Sequence, residues 1–94
     1  MEDDRVTKRL SISGRVQGVG FSFFLQRTAQ KHGLTGWVRN RRDGSVEAVV
    51  HGDDGAVAAL IDWAQRGPRD AMVERLDVSD ADGSYPTFEI RPTA

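Results

Sequence analysis

The sequence predicts an α+β domain in which a mainly antiparallel sheet carries two helices on one face. Three observations predict it. A strand runs through a glycine-dense turn into an amphipathic helix, an Asp-Gly pair separates two alternating apolar runs, and a second amphipathic helix precedes two more strands.

Thr7 to Ser13 alternates, with Leu10 and Ile12 on one face among Lys8, Arg9, Ser11 and Ser13, which reads as a half-buried strand. Ahead of it, residues 1–6 are acidic and lack an apolar core, so they read as a frayed lead-in and not as a secretory signal. From Phe21 to His32 the positions Phe21, Phe24, Leu25 and Ala29 recur at helical spacing, and Gly33 supplies a left-handed stop onto which Leu34 folds back. Gly36 to Asn40 and Ser45 to His51 flank Arg41-Arg42-Asp43-Gly44. An Asp-Gly pair there predicts a hairpin, because both turn residues tolerate positive φ. Trp37, Val38, Val46, Ala48 and Val50 supply its buried surface.

Asp53 or Asp54 caps a second helix, with Ala56, Val57, Leu60, Ile61 and Ala64 on its apolar face and Gly67-Pro68 ending it. Met72 to Val78 is a fourth strand and Asp80 to Ser84 a polar loop. Thr87 to Arg91, with Phe88 and Ile90 on one face, is a short fifth strand. The order β-α-β-β-α-β plus a terminal strand is the split βαβ, ferredoxin-like sandwich. That architecture hosts many functions and decides none.

Ninety-four residues with four Phe and two Trp suffice for one core, so residues 1–94 are expected to form a single domain. The absence of cysteine excludes a disulfide framework and a thiolate metal site. No run approaches the ~20 apolar residues of a membrane span. A net charge of −1 argues against a nucleic-acid binder. The expectation is a cytoplasmic monomer, since no surplus apolar face demands a partner.

Chemistry concentrates in Gly14-Arg15-Val16-Gln17-Gly18-Val19-Gly20, which has three glycines in seven positions between strand and helix. Such a turn bares backbone N–H groups, and the following helix dipole favours an anion at its start. Gly18, Val19, Gly20 and Phe21 are the expected donors, with Val16 and Gln17 contributing. Walker A needs Gly-Lys followed by Ser or Thr, and the dinucleotide fingerprint needs a third glycine at fixed spacing inside a parallel βαβ unit; neither is present. The plain alternative is that the glycines only make a tight connection.

The run Gly14-Arg15-Val16-Gln17-Gly18-Val19-Gly20-Phe21 closely resembles the signature of acylphosphatases, Gly-x-Val-Gln-Gly-Val-x-Phe. A second segment of that family is matched by Gly33-Leu34-x-Gly36-Trp37-Val38-x-Asn40, then Asp43-Gly44-x-Val46, a strand ending in Gly52, and the late Phe88-Glu89-Ile90. The resemblance runs from about Leu10 to Arg91. It implies hydrolysis of a carboxylic–phosphoric anhydride to carboxylate and inorganic phosphate, without metal or cofactor. The substrate is then a small acyl phosphate, with inorganic phosphate as product. By the same resemblance the loop from Arg15 to Phe21 holds the phosphate, Asn40 orients the attacking water, and an arginine following the loop grips the phosphate. That last position is Ser22.

Arginine binds two phosphate oxygens with full charge, whereas serine offers one neutral hydrogen bond. Arginine fingers in other phosphoryl transfers contribute ~10³–10⁵ in rate, so weakened turnover is the expectation. Arg15 is an accessory cation. Arg39, Arg41 and Arg42 flank Asn40, and the sequence leaves open whether one of them reaches the cradle; Arg27, over a turn down the helix, is set aside. Two other readings stay open: an anion-binding module without catalysis, and a domain in which the loop is a relic.

Other features have plainer readings. His32 and His51 lack paired ligand spacing, which argues against a metal site. Arg39 to Arg42 reads as a solvated hairpin, Trp37 and Trp63 as core or helix–sheet packing, and Asp77, Asp80 and Asp82 as solubilising charge.

Overall fold

A computed structural model describes residues 4–94. Its elements are β1 (Arg5–Arg15), α1 (Phe21–Lys31), β2 (Thr35–Asn40), β3 (Val46–Asp53), α2 (Asp54–Arg66), β4 (Met72–Asp80) and β5 (Phe88–Ile90). The sheet order is β4-β1-β3-β2-β5, antiparallel throughout except where β5 lies parallel to β2.

Register explains how both helices come to share a face. Leu10 pairs with Ala48, and Ala48 pairs with Val38, so the three side chains stand on the same side of the sheet. They join Leu25 and Ala29 of α1 and Val57, Leu60 and Ala64 of α2 in one buried cluster. The opposite face carries Arg9, Trp37, Arg39 and Glu47, one residue out of step with the core positions.

Local chemistry sets the helix ends. The Asp53 side chain accepts from the N–H groups of Gly55 and Ala56, which caps α2. At the end of α1, Leu34 N–H donates to Ala29 O at 2.8 Å, and Leu34 is buried as expected. No helix among the described residues is long and apolar enough to cross a membrane.

Several expectations need correction. Arg5 and Val6 belong to β1, paired with Asp53 and Gly52, because β3 is long enough to receive them; residues 1–3 of the expected lead-in lie outside the described residues. β4 runs on to Asp80, which pairs with Lys8 and bonds its amine, so the polar loop starts later. In the β2–β3 turn only Gly44 has positive φ (93°). Asp43 instead uses its side chain, whose Oδ1 accepts from Ser45 N–H (2.9 Å) and Oγ (2.6 Å). Trp63 is not core: it is 47% exposed on α2 with the Arg66 guanidinium over its ring. Ile90 is also exposed, and only Phe88 of its strand is buried, because β5 forms the sheet edge.

One irregularity positions the site. The β1–β4 register shifts between Ser13 and Gly14, where φ is 121° and a Cβ would lie 2.2 Å from Met72 O. This glycine bulge bends the end of β1 and leads the chain into the loop.

Candidate active site

Beyond Arg15 the chain leaves the sheet, and the buried Val16 side chain anchors the start of the loop. Gly18 and Gly20 take left-handed φ of 73° and 80°. A Cβ at either would meet nothing within 4 Å, so backbone conformation and not space asks for glycine there. Phe21, almost fully buried, then starts α1, and Phe24 N–H closes the first turn on Gly20 O at 3.0 Å.

The start of α1 is polar and bare. No side chain caps it and its first turn holds no carboxylate. Among the described residues, no acceptor takes a hydrogen bond from the backbone N–H groups of Gln17 to Phe23. That run of donors, at the positive end of a helix dipole, is the arrangement that favours an oxyanion.

Gln17 does more than lend its amide. Its side-chain Nε2 donates to Arg41 O at 2.7 Å and to Ser45 O at 2.8 Å, tying the loop to the β2–β3 turn. The turn is braced in return, with Arg41 N–H on Ser45 O and Gly44 N–H on Arg41 O. The hydrogen bonds from Ser45 also hold the Asp43 carboxyl below the usual carboxylate range.

Asn40 sits at the end of β2, half-buried, paired with Val46. Ser22, in the first turn of α1, places its Oγ 3.4 Å from Asn40 Oδ1, at the long limit for a hydrogen bond. Helix start and strand end thus bring together the two positions that flank the loop. Of the residues singled out from the sequence, Val16 and Phe21 turn their side chains into the core. Gly18 and Gly20 stand exposed, and Val19 is half-buried.

The hairpin arginines divide. Arg39 and Arg41 lie with Arg9 around Glu47, which is only 5% exposed. Arg39 Nε donates to Glu47 Oε1 at 2.8 Å while its guanidinium also covers the Trp37 ring, which Arg91 flanks too. Burial pushes the Glu47 carboxyl up, but hydrogen bonds and charge from Arg9 and Arg39 outweigh it and hold the group below its ordinary value. Arg39 and Arg41 are therefore committed to the sheet face opposite the helices. Arg15 and Arg42 are exposed. Arg15 lines a shallow surface groove with Val19 and Arg69, next to the loop.

Neither histidine joins the loop. His51 Nδ1 lies 2.7 Å from Thr7 Oγ1, and His32 terminates α1.

The sequence reading missed two features: the bracing by the Gln17 side chain and a groove along α1. Gly20, Phe23, Phe24, Arg27, Thr28, Lys31 and Pro68 line that groove. Its signal was present in the stripe Phe23, Arg27, Lys31 at spacings of four, but lay off the apolar face that the periodicity picks out.

Fold and loop together define a class: an α+β, ferredoxin-like domain whose first helix opens on a glycine turn with unpartnered amides. The acylphosphatase family model matches residues 8–90, and the chain belongs to that family. An acylphosphatase of Thiobacillus denitrificans is 58% identical over 85 residues, spanning 90% of this chain and 96% of its own. Among solved structures, an acylphosphatase from Coxiella burnetii superposes with a TM-score of 0.90 at 31% identity, covering 94% of both chains. One from Bacillus subtilis gives 0.88 at 34% identity, covering 92% of this chain and 98% of its own.

Proposed function

We propose that the protein is a cytoplasmic, monomeric acylphosphatase that hydrolyses small acyl phosphates to carboxylate and inorganic phosphate, at a rate held down by Ser22. The observation that carries this reading is the run of unpartnered amides from Gln17 to Phe23 beside the Ser22–Asn40 pair.

In this reading the loop from Arg15 to Phe21 holds the phosphate of the substrate, through the bare N–H groups that begin at Gln17, with Arg15 adding charge from the rim. Water held by the Asn40 amide attacks phosphorus, since an amide both accepts from and donates to water. The bond from phosphorus to the bridging oxygen breaks, and the carboxylate leaves with that oxygen and its electron pair. The proton released by the attacking water leaves on the phosphate or to solvent. Catalysis of this kind rests on position and charge, and Ser22 supplies only a neutral hydroxyl where the family resemblance calls for a guanidinium.

A specific contact favours a second reading, an anion-binding module without efficient turnover. Ser22 Oγ donates to Asn40 Oδ1, the same oxygen that would accept from water. Assaying an acyl phosphate with wild type, Ser22→Arg and Asn40→Ala separates the two. The expected result is slow wild-type hydrolysis, a rise of about 10²-fold or more in kcat/KM for Ser22→Arg, and a loss for Asn40→Ala. Fast wild-type turnover untouched by the arginine contradicts the role given to Ser22. No turnover in wild type or Ser22→Arg leaves the binding module.

A further inference from the structure

The groove along α1 begins where the loop ends. Gly20 belongs to both, so a phosphate seated on the loop amides opens directly onto the groove. Its volume of about 530 Å³ is that of a small-molecule site. Phe23, 60% exposed, and Phe24, whose ring stands edge-on 6.1 Å from Phe21, are its apolar walls near the loop. Farther along stand Arg27 and Lys31, on the same helix face as Phe23 at spacings of four. No carboxylate lines the groove, and neither cation has an ion-pair partner among the described residues.

We propose that this groove seats the acyl group of the substrate and selects acyl phosphates whose chain is apolar beside the anhydride and ends in a second anion. The proposal rests on the reading of the loop as the phosphate seat. The sequence of environments along the groove matches such a molecule: oxyanion donors, then aromatic wall, then cations. At about 1.5 Å of rise per residue, Arg27 starts roughly 10 Å beyond Gly20, and helical side chains lean back toward the N-terminus. That spacing suits a chain of a few methylenes between phosphate and terminal carboxylate. Arg27 and Lys31 act here as specificity residues, since they lie beyond the reacting atoms.

Binding tests this without relying on turnover. Inorganic phosphate, propylphosphonate and phosphonobutyrate, which is the propyl compound with a terminal carboxylate, are titrated by calorimetry into wild type, Arg27→Gln and Phe23→Ala. Phosphonobutyrate is expected to bind about fivefold more tightly than propylphosphonate in wild type, a gap that Arg27→Gln reduces to about twofold or less. Phe23→Ala is expected to weaken both phosphonates by about threefold more than it weakens inorganic phosphate. Equal affinity of the two phosphonates for wild type, or a gap that survives Arg27→Gln, overturns the acyl seat while phosphate binding leaves the loop reading standing. Failure of phosphate itself to bind overturns the loop reading, and this proposal with it.

Discussion

At the scale of single residues, Gln17 braces the shape of the loop, while Ser22 leaves the proposed site a neutral hydroxyl where the family resemblance calls for a charge. Gln17 holds the loop to the turn through two carbonyls that keep other donors, so its loss orphans neither. Gln17→Ala is accordingly expected to cost only about 1–2 kcal/mol of stability. Its effect on phosphate affinity should be larger in proportion, because the unbraced loop must be ordered on binding. Urea unfolding and phosphate titration of one variant check both halves. The amide donors and the Ser22 position were legible in the sequence, because glycine density and a family motif mark them. The reach of the Gln17 side chain was not, since its partners are carbonyls from residues 24 and 28 positions away that no pattern announces. Trp63 was misjudged for a similar reason. An aromatic on an amphipathic helix reads as core, yet Trp63 falls off the stripe of Val57, Leu60 and Ala64, and its half-exposed ring carries the Arg66 guanidinium.

At the scale of elements, the two helices meet where α2 stops. A Cβ on Gly67 would lie 2.7 Å from Phe21 Cε2 and 3.1 Å from Ala71 Cβ, and φ there is 68°. Gly67→Ala should therefore destabilise by about 2–4 kcal/mol, from left-handed backbone strain plus overpacking. Because Phe21 is the first residue of α1, the push falls on the helix start that presents the loop amides. Loss of phosphate affinity beyond that expected from stability alone, with amide shift changes at Gly20 to Ser22, checks the coupling. Helices and hairpin strands were readable to within a few residues because their caps and periods are local. The polarity of the short β5 was not. Its parallel pairing with β2 depends on where a long connection returns the chain, which alternation does not encode.

At the scale of the molecule, the sheet face away from the helices is organised by charge. Glu47 gathers Arg9, Arg39 and Arg41 on a buried carboxylate, and its carboxyl is held below its ordinary value of about 4.3. A group with a depressed folded-state pKa adds stability that is full above the unfolded value. That stability is lost as pH falls through the folded value. The protein should thus lose stability as acid takes the pH from about 4 downward, and Glu47→Gln should flatten that loss. At neutral pH the same variant is expected to be about 1–3 kcal/mol less stable, moderated by the water around its arginines. Urea midpoints against pH for the two proteins give the comparison. This network also accounts for two of the hairpin arginines, Arg39 and Arg41. The sequence placed them beside Asn40, but sheet register, visible only once β1, β3 and β2 are aligned, sends Arg39 to Glu47.

The proposed function requires that exposed amides in the turn before α1 hold an oxyanion although serine stands where a guanidinium would be. Titrating inorganic phosphate while following backbone amide resonances tests this. Saturable shifts concentrated at Gln17 to Phe23, retained in Ser22→Ala and tightened in Ser22→Arg, are the predicted result. Resonances of that segment unmoved at high phosphate, or shifts confined to exposed arginines elsewhere, would contradict it.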